Sequence, residues 1–218
     1  MDSVKIDGMV IERVYEAKDL GIVVDEELSW IRQVNLQIAK GYGKLKHAYR
    51  FKNFLNEKSK IALIETYILS QLNYGDIILQ NLSEQLQYKL QKLQNSCVRF
   101  AYSLRKYDHI SGFIKSKNML NLKNRRLLHG MTLMFLIKNG KAPTYLCNRI
   151  RTHIDNHMHF TRNRHNIDPP FARTNMRKFS YFPFFSRKFN EISNDVHIAN
   201  ISVHTFKLKC KKYLINTQ

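Results

Sequence analysis

Acidic residues are scarce in this chain: 17 Asp and Glu stand against 36 Lys and Arg, a formal charge of +19. That deficit favours a polyanionic partner over an acidic small molecule. No two aspartates are adjacent. The three cysteines, Cys97, Cys147 and Cys210, lie far apart with no CxxC, which predicts a reduced, intracellular protein without a disulfide framework. No run approaches the ~18 apolar residues of a membrane span, and the N-terminus is acidic rather than basic then apolar. Neither secretion nor membrane insertion is expected, and the cytoplasm or nucleus is the expected location.

What is present is a chain of 218 residues, 44% hydrophobic, enough for one large core or two small ones. Its charge is uneven. Residues 1–30 hold eight acids and three bases, which leaves nine acids and 33 bases in residues 31–218. The basic character therefore belongs to the body that follows.

Hydrophobic periodicity predicts a mainly α fold: a small N-terminal β-hairpin and strand element, then a multi-helix bundle, then an irregular basic C-terminal region. Asp7-Gly8 between two short β-rich runs is a hairpin signal, and Leu20 to Asp25 reads as one more strand. Helices follow over 30–51, from a cap at Asn56 to a stop at residues 73–76, and from a cap at Ser83 through Ala101. Asp108 is a candidate cap for a short helix. The best-punctuated helix begins at Asn121 and ends near Asn139, where Gly140 and Pro143 close it. It carries a polar strip of Arg125, His129 and Thr132. Its Leu127, Leu128, Met131 and Phe135 are expected in the largest core, and Gly130 predicts a close crossing. Residues 150–185 lack a period and read as a long loop before a final helix. The expected division is 1–30, a β element; 31–150, a helical domain; and 151–218, an irregular basic and aromatic region with its terminal helix packed on it.

Several stretches, taken in order, resemble the C-terminal part of reverse transcriptases from non-LTR, LINE-type retrotransposons of the jockey-like group. They are Leu20-Gly21-Ile22-Val23-Val24-Asp25 with Leu28-Ser29-Trp30, Ser70 to Gly75, Leu90 to Arg99, and above all Lys138-Asn139-Gly140-Lys141-Ala142-Pro143-Thr144-Tyr145-Leu146. Thr161-Arg162, Phe189-Asn190 and Phe206 to Lys209 complete the series. Asp19 stands where the family has an aromatic, Phe189 where it has Trp, and Ile192-Ser193 where it has Leu-Pro. The resemblance implies the end of the palm, the thumb and the connection region of an RNA-directed DNA polymerase, in a frame that begins inside the palm. It also implies that the missing palm and fingers were partners of this region. The family's aromatic-Ala-Asp-Asp turn is absent, and Tyr74-Gly75-Asp76 supplies one carboxylate only. No polymerase or endonuclease centre, catalytic residue, metal or cofactor is expected.

The candidate nucleic-acid-binding residues are Arg162, Arg164, Arg173, Arg177, Lys178, Arg187 and Lys188, interleaved with Phe179, Tyr181, Phe182, Phe184 and Phe185, together with Lys209 and Lys212 on the last helix. Basic side chains engage phosphates and aromatic faces stack unpaired bases, but aromatics in a loop also plug onto a core. Arg125 and Arg126 read as partners for a buried carbonyl or carboxylate. Cys147, His153, His157 and His159 include His at a spacing that can share zinc, but no CxxC accompanies them, and plain loop histidines are the preferred reading. The functional expectation is a non-catalytic domain gripping RNA or DNA by its backbone, with no small-molecule substrate. The alternative is a helical protein-interaction module, or a remnant without a selected role.

Overall fold

Asp7 and Gly8 both take positive φ, 49° and 80°, and the chain reverses there between β1 (Lys5–Ile6) and β2 (Met9–Val10), with Ile6 opposite Met9. In the computed structural model, which describes residues 4–153, 166–195 and 201–217, a second hairpin follows rather than a single strand. β3 (Glu16–Asp19) pairs antiparallel with β4 (Ile22–Asp25) across Leu20 and Gly21, also at positive φ. All four β3 residues are exposed, so backbone pairing and an Arg32 to Glu16 ion pair hold it rather than alternating burial.

The body is helical, and the described fold is mainly α with only these small strand pairs near the N-terminus. α1 spans Ile31–Tyr49. α2 (Glu57–Leu63) runs through a π-helical segment, Ile64–Leu69, into α3 (Ser70–Asn73), and a 3-10 helix occupies Asp76–Asn81. Then come α4 (Glu84–Ala101), α5 (Ser111–Ser116), α6 (Leu122–Lys138) and α7 (Thr144–Cys147). α8 (Asn175–Lys178), α9 (Tyr181–Asp195) and α10 (Val203–Asn216) complete the described elements. None of the described helices is long and apolar enough to cross a membrane.

The caps lie where the side-chain chemistry places them. Asn56, Ser83 and Asn121 each accept the backbone N–H three residues on, at 2.8, 3.4 and 2.7 Å. Gly140 at φ 66° ends α6. Asp108 does not cap α5; its carboxylate accepts the Arg105 N–H at 2.7 Å instead. α9 begins inside the stretch expected as loop. Its Pro183 falls in the first turn, where the missing N–H leaves no helical bond unmade.

Among the described residues three apolar clusters form, the smallest being Val98, Ile110 and Ile114. The largest joins α1, the α2–α3 helix and α4 through Val34, Ile68, Leu93, Cys97 and Phe100. The second joins α6, α9 and α10 through Met131, Phe135, Phe185, Phe189 and Phe206, with the Phe135 and Phe206 rings stacked at 4.4 Å. Met131 and Phe135 are thus buried in the second core rather than the largest, and Leu127 and Leu128 are only partly buried at its edge. The crossing at Gly130 is close: a Cβ there would lie 2.0 Å from the Phe185 ring.

Candidate nucleic-acid interface

Of the candidate basic residues, Arg162 and Arg164 lie outside the described residues. Arg173, Arg177 and Lys178 are exposed. The last two sit on α8, where Thr174 Oγ1 accepts the Arg177 N–H at 3.3 Å and Arg177 Nε donates to the Phe171 carbonyl at 3.0 Å. Arg187 on α9 donates to the Lys178 carbonyl, which brings it to the same edge. Lys188 is partly buried and spends its charge on Glu191 at 2.6 Å. Lys209 and Lys212 are exposed on α10, a separate helix.

The aromatics divide differently. Phe185 and Phe189 are about 1% exposed and belong to the second core. Tyr181 is partly buried and donates its hydroxyl to the Gly130 carbonyl at 3.1 Å, and burial raises its pKa. Only Phe179, at 38% exposure, keeps an open face among those singled out, while Phe171, not singled out, is 84% exposed. The aromatic run largely serves the core, and of the basic residues around it Arg173, Arg177 and Lys178 face solvent while Arg187 and Lys188 are partly buried.

A second basic surface was not singled out from the sequence. Lys18 of β3 and Lys40 and Lys44 of α1 line a groove of about 650 Å³, bounded also by Gln33, Gln71 and Tyr74, with no carboxylate among its described lining residues. Its shape is fixed by polar links. Buried Gln33 accepts the Val23 N–H at 2.9 Å, Tyr74 donates its hydroxyl to the Leu20 carbonyl at 2.7 Å, and Gln71 reaches the Gln37 carbonyl at 3.4 Å. Lys44 donates to the Tyr67 carbonyl at 2.8 Å and lies 4.6 Å above the Tyr67 ring. One signal was available: residues 31–56 contain no acid at all.

Asp76, the lone carboxylate of the Tyr-Gly-Asp turn, is 3% exposed and bonded to His129 Nδ1 at 2.7 Å. Among the described residues no three His, Cys, Asp or Glu side chains gather to hold a metal. Cys147 bonds the Ala142 carbonyl at 3.3 Å, and His157 and His159 lie outside the described residues. Compared with protein-family models, with curated proteins and with solved structures, the chain matches none.

Proposed function

We propose that this chain is a non-catalytic domain that grips the backbone of RNA or DNA, of the thumb and connection kind in non-LTR reverse transcriptases. The observation that carries the reading is the groove of Lys18, Lys40 and Lys44, which no carboxylate of the described residues lines. Nine acids cannot neutralise the 33 bases of residues 31–218, so a polyanion releases counterions on docking. With the aromatic run largely committed to the core, contact is to phosphate rather than to base edges, and sequence preference is weak. Anisotropy with a labelled duplex tests which surface is used. Lys18, Lys40 and Lys44 changed together to Gln, and Arg173, Arg177 and Lys178 changed together to Ala, should each weaken binding by about tenfold or more. If both triple variants bind like the parent chain, the reading fails.

A second reading rests on the first hairpin. Val4, Ile6, Met9, Val10 and Ile11 are all exposed, and apolar surface of this kind marks protein contact. Sedimentation tests it, since an uncovered apolar hairpin drives self-association that Ile6→Ser with Val10→Ser relieves. A monomer at every concentration would remove this reading.

A further inference from the structure

A cleft of about 320 Å³ opens between the π-helical segment, α4, α6 and α10, on neither of the surfaces above. Its floor is apolar, made by Ile64, Leu69, Cys97, Val98 and Leu128, and its rim carries Lys117, Arg125 and Lys211. Glu65 is the one carboxylate among the lining residues. It sits in the π-helical segment, a type of distortion that often marks functional positions. His129 also reaches the rim, but its Nδ1 is already bonded to buried Asp76.

Arg125 is the informative residue. It is partly buried, and burial lowers its pKa against the pull of Glu65 and Asp76. Yet no carboxylate among the described residues lies within ion-pairing distance of it, and its hydrogen bond is a long one, 3.5 Å to Asn73 Oδ1. A guanidinium has five donors, and withdrawing it from water with acids nearby but none directly bonded to it is costly. Its sequence neighbour Arg126 is 4% exposed, with an Nε that finds no partner among the described residues, but it does not line the cleft and its charge is felt by Asp76. Lys117 is held at the rim above the Tyr102 and Phe113 rings, at 5.2 and 5.6 Å.

We infer that this cleft binds an organic phosphate, with the phosphate on Arg125, Lys117 and Lys211 and the organic group over the apolar floor. Several cations converging on one rim suit the many acceptor oxygens of a phosphate better than a single carboxylate. The volume stands at the lower end for small-molecule sites, and an inorganic anion would leave the floor uncovered. A free nucleotide and the phosphorylated end of a strand share this chemistry. The inference does not depend on the groove, whose lysines lie elsewhere.

Calorimetric titration of the intact chain with adenosine monophosphate, adenosine and inorganic phosphate tests it. Adenosine monophosphate should bind saturably and more tightly than either of the others. Arg125→Gln should weaken it by about tenfold or more, the loss expected for a charge-assisted contact. Lys117→Gln and Lys211→Gln, both at exposed residues, should do likewise if the Arg125 variant does not fold. A short oligonucleotide with a 5′-phosphate that displaces the nucleotide, where its 5′-hydroxyl form does not, identifies a strand end as the source. Failure of both to displace it identifies a free small phosphate. No saturable binding of adenosine monophosphate, or binding unchanged in the Lys117→Gln, Lys211→Gln double variant, overturns the inference. Neither change touches Lys18, Lys40 or Lys44, so the outcome is independent of the groove experiment.

Discussion

Asp25 holds two backbone N–H groups at once, Ser29 at 2.8 Å and Trp30 at 3.0 Å, at the turn where Leu28 and Trp30 take φ of 53° and 61°. Bulky residues are strained in that region, and the carboxylate is what fixes them there. The Ser29 N–H lowers the Asp25 pKa most, opposed by burial and reinforced by Trp30. A carboxyl whose folded pKa is depressed stabilises the fold fully above its unfolded pKa, and that contribution is lost as pH falls through the lowered value. Asp25→Ala should therefore cost about 1 kcal/mol at neutral pH, as loss of a cap does, and the difference from the parent should vanish in strong acid. Urea unfolding at both pH values checks this, and a difference independent of pH would contradict it. The thiols give a second residue-scale prediction. Cys97 and Cys210 are buried, and burial pushes each up to about 12, whereas Cys147 is partly exposed. A thiol reagent should label one cysteine in the folded chain and three after denaturation. Fast labelling of Cys97 or Cys210 in the folded chain would show that the cores are not closed.

Elements were legible where one residue type does a local job. Asn56, Ser83 and Asn121 announce their helices because a short side chain accepting an early N–H is a signal within four residues. Gly140 and Gly130 announced an end and a crossing for the same kind of reason. β3 was hidden because its side chains are exposed and charged, and the start of α9 was hidden because Pro183 reads as a breaker unless its place in the first turn is known. The π-helical register at Ile64–Leu69 leaves the apolar spacing intact and has no sequence signal that we can name. Two substitutions test the packing of α6. Phe135→Ala should destabilise by about 3–5 kcal/mol, since Phe135 is 2% exposed and stacked on Phe206; denaturant titration showing less than half a kilocalorie would misplace the second core. Gly130→Ala gains about 1 kcal/mol of helix propensity but drives a methyl into the Phe185 ring. The net should be a loss of stability, with overpacking of about 1–3 kcal/mol prevailing, and a more stable variant would mean that the ring moves freely.

At the scale of the molecule, the charge imbalance was plain from composition, and the exposed Arg173, Arg177 and Lys178 were picked from it. The groove was not, because Lys18 and the pair Lys40 and Lys44 meet only when the β3–β4 hairpin docks on α1, chiefly through β4. The Arg125 cleft was missed for a similar reason: Arg125, Lys117 and Lys211 come from separate parts of the chain, and Arg125 alone looks like a core partner. The central claim is that the helical body binds nucleic acid through phosphates. The most direct test is the affinity for one duplex over a series of salt concentrations, repeated with a duplex of scrambled sequence. Log K should fall linearly with log salt, with a slope of roughly −0.9 per phosphate neutralised, and the two duplexes should give the same line. An affinity that does not respond to salt would contradict the account.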